Sequence, residues 1–270
     1  MSLEVTLIPA EHCLGSTMFL FKTTNKTILY IGDFRPRISD IEKDANLHEP
    51  NGNPINIDAM YVDTEFNQEG YENFPKRSHT VHEVIKEIDK WLKKGENYAV
   101  AIYVYANYTH EFICNQIHEK LNIKVAIPEL VPGITNDYRE NRIHLCSKNK
   151  NLENSHSECT SGWGYDVCLY VYFTAKKWRK YTDDSTPVNW ATPTRLDACF
   201  ATHCSRRELE SFVSYFKPEK VEGFRYPYVA ATPNTKNKGE LRLPKGVKRK
   251  NDATTVDEEQ LKNVTKKLEL

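Results

Sequence analysis

Four residues with metal-ligating or acid–base chemistry stand at the polar ends of apolar runs: His12 in IPAEHC, Asp33 in ILYIGDF, Asp63 in AMYVDTEF and His203 in ACFATHC. Each has an ordinary explanation when taken alone. A histidine beside a strand end is most often a hydrogen-bonded structural residue, and Gly-Asp after a strand is usually a turn. Taken together, they fit one hydrolytic metal centre better than four coincidences. Zinc accepts His nitrogen and Asp oxygen and keeps a position open for water. A carboxylate can also bridge two metals and help position a nucleophile against phosphorus.

Such residues meet only if the elements before them lie side by side. Apolar patterning predicts strands over 3–8, 17–21 and 28–31, the last two joined as a hairpin through Thr24-Asn25-Lys26. Residues 39–56 are polar and carry Pro, Gly and Asn, so they read as a connection, and a strand over 59–62 ends on Asp63. In SHTVHEVIKEIDKWLKKG, Val81, Val84, Ile85, Ile88, Trp91 and Leu92 follow helical spacing, and Gly95 stands just past the end. A buried-type strand (98–105), a helix (109–121) and another strand (123–127) then alternate, which argues for a parallel α/β sheet. Residues 147–164 are polar and irregular, and VCLYVYF reads as a strand. ACFATH runs into SRRELESFVSYF, where Ser205 and Glu208 form a capping box for a helix burying Leu209, Phe212, Val213 and Phe216. The expected fold class is α/β, and in open α/β sheets sites gather at the carboxyl ends of strands. From about residue 234 the chain is Lys, Asn, Asp and Glu with little to bury, and reads as a disordered tail.

With 270 residues, 39% of them hydrophobic, the chain can bury one large or two modest cores. A formal net charge of zero announces neither nucleic acid nor membrane, although a groove can be locally basic. The seven cysteines are scattered and odd in number, beside nine histidines, which fits a reduced intracellular protein with metal sites better than a secreted disulfide scaffold. No apolar run reaches membrane-spanning length, and the N-terminus lacks a basic segment followed by an apolar one. The expectation is a soluble, intracellular protein.

PAEHCLGSTMFLF with LYIGDFR resembles the third and fourth motifs of the metallo-β-lactamase nucleases that process DNA. MYVDTEF resembles the first β-CASP motif, and ACFATHCSRRELESFVSYF the last. With ANYTHEF, these stretches are similar to the Artemis-like branch of DNA cross-link repair nucleases over most of 3–217. The resemblance implies a partial αββα sandwich (1–55 and 201–233) interrupted by an α/β β-CASP domain (56–200). His12 would be a zinc ligand, Asp33 a ligand able to bridge two metals, and Asp63 the acidic residue supporting the site. His203 would be a ligand or phosphate-facing histidine. The implied chemistry is hydrolysis of DNA phosphodiesters, by 5′ exonuclease or structure-specific endonuclease action, in end joining and cross-link repair. The implied cofactors are one or two metal ions, zinc first and Mg or Mn as alternatives. DNA ends, hairpins or damaged DNA, DNA-dependent protein kinase and end-joining factors are the implied partners, in the nucleus and without a membrane.

Two departures from the family pattern stand out. Glu11 and Leu14 replace the Gly and Pro of the family's GHCPGS. The His-x-His-x-Asp-His motif that the family carries upstream of this point does not occur in the chain, so the resemblance implies a chain lacking that N-terminal part. RNA processing by a β-CASP nuclease, and a non-catalytic module binding DNA ends or repair partners, are the alternatives. The resemblance further implies a small zinc site within the β-CASP region through His144, Cys146 and Cys159. Ala126 takes the place of the family's earlier histidine, and His156 is the substitute fourth ligand; a solvated loop with two free thiols explains these residues equally well. Tyr108, Thr109 and His110 stand between a strand and a helix, where a DNA phosphate or an ordinary turn both fit. Arg206 and Arg207 beside His203 are candidates for backbone phosphates or simply solvated charges. KRK at 248–250 reads as nuclear targeting or as tail charge.

Overall fold

The computed structural model describes residues 2–104, 110–127, 141–146 and 167–230. The first apolar runs form strands β1 (Glu4–Pro9), β2 (Thr17–Lys22) and β3 (Thr27–Tyr30), and a fourth, β4 (Ala59–Val62), follows a short helix α1 (Ile38–Ile41). Alternation sends Ile8, Met18, Leu20, Leu29, Met60 and Val62 to one face, where all are buried. Together with β11 (Lys220–Gly223) these strands make a five-stranded sheet in the order β1-β2-β3-β4-β11. Pairing is antiparallel for β1–β2 and β2–β3, then parallel for β3–β4 and β4–β11. Strands β1, β3, β4 and β11 therefore run the same way, and their carboxyl ends share one edge.

The buried face is covered by α4 (Arg206–Phe216), which inserts Leu209, Phe212 and Phe216; Phe34 meets Phe212 edge-on at 5.0 Å. Ser205 Oγ accepts from the Glu208 amide at 3.3 Å, and a Glu208 carboxylate oxygen accepts from the Ser205 amide at 2.8 Å. This reciprocal cap, together with three buried side chains each contributing about 2 kcal/mol, holds the helix on the sheet. The opposite face is apolar as well. Register sets Val5 beside Phe21, Leu7 beside Phe19, Phe19 beside Tyr30 and Tyr30 beside Tyr61. Leu7, Phe19 and Tyr30 remain exposed among the described residues.

A second sheet has the order β6-β7-β5-β8-β10-β9, with β5 (Tyr98–Val104), β6 (Val125–Ala126), β7 (Ile143–Leu145), β8 (Val167–Thr174), β9 (Val188–Thr192) and β10 (Arg195–Cys199). All its neighbours pair in parallel except the β9 edge, consistent with the strand–helix alternation of the sequence. Helices α2 (Arg77–Leu92) and α3 (His110–Leu121) contribute Val81, Ile88, Ile113 and Ile117 to a core with Val100, Ile102, Leu169 and Val171. Trp91 belongs to that core, and its Nε1–H donates to the Ala99 carbonyl at 3.0 Å.

Three features differ from the sequence expectation. Strand β4 lies in the first sheet between β3 and β11, so the interrupting segment begins after it rather than at residue 56; period alone cannot say which sheet a strand joins. Strand β9 carries no apolar alternation, because four of its five residues are exposed at a sheet edge. The strand expected over 123–127 contracts to Val125–Ala126. The sequence-based tail from residue 234 lies outside the described residues.

Candidate metal centre

The site is assembled by loops that leave the carboxyl ends of strands. After β1 the chain turns tightly through residues 10–16, with the Ser16 hydroxyl oxygen accepting from the His12 and Cys13 amides at 3.0 and 3.1 Å. Glu11 sits at φ 52° and Gly15 at φ 79°. The left-handed region favours glycine, so Glu11 bears backbone strain where the family motif has Gly. The Arg35 amide donates to the Ala10 carbonyl and the Cys204 amide to the Phe34 carbonyl, both at 3.0 Å. These bonds stitch the loops after β1, β3 and β10 together and bring His12, Asp33 and His203 to one place.

Ligand-capable atoms of these three residues all lie within 4.8 Å of one another. His12 Nε2 is 3.9 Å from Asp33 Oδ2, and His203 Nδ1 is 3.9 Å from Asp33 Oδ1. The two imidazoles meet edge-on with centroids 4.8 Å apart. Their outer contacts fix the tautomers, because a carbonyl and a carboxylate can only accept. His12 Nδ1–H donates to the Thr202 carbonyl at 3.1 Å, and His203 Nδ1–H donates to Asp63 Oδ2 at 2.5 Å. Each ring then keeps its lone pair on Nε2, the arrangement that metal-ligating histidines show. Burial first, and then His203, hold His12 below its ordinary pKa, outweighing the Thr202 hydrogen bond and the two aspartates. A neutral imidazole is the form that ligates.

Donors about 2.0–2.2 Å from a tetrahedral cation stand roughly 3.3 Å apart. The 3.9 Å from His12 Nε2 to Asp33 is near that spacing, and His203, whose Nδ1 is engaged by Asp63, has to bring Nε2 inward from within the 4.8 Å cluster. The donor set of two imidazoles and a carboxylate fits as well. Such an ion would polarise a phosphoryl oxygen and acidify water. Asp63 is not one of the three clustered donors: its side chain is 1% exposed, orients His203, and accepts from the Glu65 amide at 2.9 Å.

Several residues at the site carried no signal in the sequence. Arg225, just past β11, reaches back to the same edge: Nη2 lies 3.2 Å from Asp33 Oδ1 and 3.5 Å from Oδ2, and Nη1 donates to Glu65 at 2.7 Å. Burial lowers the Arg225 pKa, but Asp33, Glu65 and Asp63 outweigh it and the net shift is upward. Behind His12, buried Arg35 pairs with Glu208 at 3.0 Å and donates to the Ala201 carbonyl. Arg77 donates to the Glu11, Arg35 and Ala201 carbonyls, and burial followed by Arg35 pushes its guanidinium down to about 10. Their partners lie tens to nearly two hundred residues away in sequence, beyond the reach of local pattern.

The remaining candidates are not among the three clustered donors. Arg206 turns to Glu210 at 3.2 Å, an ion pair without hydrogen-bond alignment, and to Glu72 at 3.9 Å. Arg207 lines a cavity of about 1020 Å³ together with His12, Arg35, Lys76 and Arg77. His110 begins α3 and is buried, whereas Tyr108 and Thr109 lie outside the described residues. His144 lies on β7 and Cys146 follows it; Cys146 packs with Ala99, Ala101, Tyr103 and Cys168, a cluster apart from the α2/α3 core. Cys159 and His156 lie outside the described residues, as does KRK at 248–250.

A family model described as DNA repair metallo-beta-lactamase matches residues 128–223. Protein artemis from Homo sapiens is 28% identical over 249 residues, covering 87% of this chain and 35% of that protein. DNA cross-link repair 1A protein from Mus musculus is 24% identical, covering 82% and 22%. 5' exonuclease Apollo from Danio rerio is 26% identical, covering 91% and 41%. The chain spans about a third of the length of the human Artemis protein, 35%. A DNA-repair family model over part of the chain and these relatives bear on the same sequence whose strand ends gather His12, Asp33 and His203, and the chain is similar to the Artemis-like metallo-β-lactamase DNA repair proteins.

Proposed function

We propose that this chain carries part of the catalytic site of a metal-dependent DNA nuclease of the Artemis type, acting in end joining and interstrand cross-link repair. The convergence of His12, Asp33 and His203 at one strand edge carries this reading, and the likeness to Artemis, DNA cross-link repair 1A and Apollo supports it. In this reading His12 and His203 offer imidazole nitrogens and Asp33 a carboxylate to zinc, with Mg or Mn as alternatives. Asp33 is the residue suited to bridge a second ion. Asp63 holds His203 in the ligating tautomer. The cavity beside His12 is lined by Arg35, Arg37, Lys76, Arg77 and Arg207 and equally by Glu11, Glu111, Asp183 and Glu208, so Lys76 and Arg207 are its candidates for a nucleic-acid backbone rather than an overall positive charge. Tyr108 and Thr109 are further candidates for phosphate contacts. A nuclear location, and DNA ends, hairpins, DNA-dependent protein kinase and end-joining factors as partners, follow from the same reading.

The domain arrangement belongs to this proposal too: a partial sandwich formed by the chain up to β4 and by 201–233, interrupted by a β-CASP segment that begins after β4. So does the structural zinc held by His144, Cys146, Cys159 and His156. A second reading, a non-catalytic module for DNA ends, is favoured by one observation: among the described residues only three donors cluster. Labelled hairpin DNA, 5′-phosphorylated single-stranded DNA and single-stranded RNA distinguish these readings. They are assayed with the chain alone and with a fused segment carrying the His-x-His-x-Asp-His motif. Metal-dependent DNA cleavage that disappears in Asp33→Ala supports the nuclease. A folded, metal-loaded fusion that cuts nothing while binding DNA moves the assignment to the module, and preferential cleavage of RNA moves it to RNA processing.

A further inference from the structure

We propose that Arg225 competes with a divalent cation for the Asp33 carboxylate and thereby sets the metal affinity of the centre; this rests on the metal-site reading above. Both Asp33 oxygens lie within 3.5 Å of the same guanidinium nitrogen, and these are the oxygens that face His12 and His203. The guanidinium is tethered rather than incidental. Its other terminal nitrogen donates to Glu65 at 2.7 Å, and Nε is 3.9 Å from Asp63.

The backbone beneath it is equally constrained. The Phe224 amide donates to the Val62 carbonyl, and the Thr64 hydroxyl accepts from the Tyr226 amide at 2.8 Å while donating to the Tyr226 carbonyl at the same distance. A side chain at Gly223 would collide with that carbonyl, so only glycine allows the turn that presents Arg225. Arg225 thus places a positive charge on the most exposed of the three carboxylates it faces, since the Asp33 side chain keeps 37% exposure against 1% for Asp63 and 14% for Glu65. A cation approaching Asp33 meets both a rival hydrogen-bond donor and like-charge repulsion, which act in the same direction.

Cobalt(II) titration, followed by its visible absorption, and zinc calorimetry on the whole chain test this. Arg225→Gln is expected to bind metal roughly tenfold more tightly than the wild type, because both the rival donor and the repulsion are gone. Arg225→Lys keeps the point charge and is expected to stay within about threefold of the wild type. Added salt should narrow the gap between Gln and wild type, since it screens the repulsion. Circular dichroism verifies that the variants fold, and Arg225→Met, which keeps the aliphatic stem, replaces Gln should that variant unfold. Equal or weaker binding by folded Arg225→Gln or Arg225→Met overturns the proposal while leaving the metal centre standing. Absence of metal binding in the wild type and all variants overturns the proposal together with the metal-site reading.

Discussion

His203 and Asp63, 140 residues apart in sequence, share a hydrogen bond between the segments that follow one strand of each sheet: Nδ1–H of the imidazole donates to Oδ2 at 2.5 Å. Asp63 directly follows β4 of the first sheet, whereas His203 comes after β10 of the second. The contact therefore links segments of the two sheets and selects the histidine tautomer. Asp63→Asn keeps the shape but removes the charge that favours Nδ1–H on the ring. It is expected to weaken metal binding by roughly 10- to 100-fold, the range typical of partners that orient a ligand. Cobalt(II) titration of the variant beside His203→Ala measures this. An affinity unchanged from wild type would show that His203 needs no orientation by Asp63.

Metal binding to the three-donor centre should appear as stability. A ligand that binds only the folded chain stabilises it by about 2.7 kcal/mol when present at a hundred times its Kd. For a folded unit of this size that corresponds to a rise in Tm of roughly 5–10 °C. The rise should vanish with a chelator and in His12→Ala, whose substitution removes a donor without touching either core. Differential scanning calorimetry at fixed zinc concentration reads the effect, and a zinc-dependent shift that survives in His12→Ala would place the ion elsewhere.

Periodicity carried the fold a long way. The helical stripe from Val81 to Leu92 is buried against the second sheet, and Ser205 with Glu208 forms the reciprocal cap that their spacing announces. The positions of His12, Asp33, Asp63 and His203 at strand ends were legible because a polar residue closing an apolar run marks an edge. Which carboxylate orients which imidazole was not legible, since the answer depends on how two sheets dock. Arg225 and Glu65 escaped for the same reason, and β9 because an exposed edge strand imposes no pattern on its side chains.

The outer face of the first sheet should behave as an adhesive surface. Leu7, Phe19 and Tyr30 lie in adjacent strands and are exposed, whereas a sheet face adapted to water is polar. Leu7→Lys with Phe19→Lys is expected to reduce both self-association and binding of an apolar dye, while each exposed substitution changes stability by only about 0.5 kcal/mol. Sedimentation velocity and dye fluorescence follow the first two, and thermal unfolding the third. A large loss of stability in the double variant would show that this face is buried in solution.

The proposed structural zinc makes a separate demand. His144 on β7 and Cys146 just after it stand in the second sheet, away from the three-donor centre. A closed tetrahedral site takes four donors, so Cys146→Ser, Cys159→Ser and His156→Ala should each remove about one zinc per chain, independently of the donors at His12 and His203. Elemental analysis after dialysis, performed in a His12→Ala background, isolates this ion. Retention of the metal in Cys146→Ser would return these residues to the solvated-loop reading.

The Arg35–Glu208 pair gives the fold an acid-sensitive joint. Glu208 caps α4 by accepting from the Ser205 amide and also receives Arg35, whose guanidinium bonds the Ala201, Phe74 and Pro75 carbonyls. Burial raises the Glu208 pKa, but the Arg35 charge, the Arg35 hydrogen bonds and those of Ser205 outweigh it and set it below the ordinary 4.5. A carboxylate depressed in the folded state contributes stability that is fully present above the unfolded pKa and is lost as pH falls through the folded one. The sign is therefore definite: from neutrality down to about pH 5 this contribution is constant, and below 4.5 it disappears. The Glu208 side chain keeps 39% exposure, so solvent screens the pair and the pH-dependent part is small, about 1 kcal/mol. Glu208→Gln should remove that part and flatten the stability profile between pH 5 and pH 3. Glu208→Ala should cost more at every pH, roughly 2 kcal/mol, because it also removes the cap and leaves the buried Arg35 guanidinium without its carboxylate. Urea unfolding of the three proteins across this range measures both effects, and a Glu208→Gln profile as steep as wild type below pH 4.5 would assign the acid sensitivity to other carboxylates.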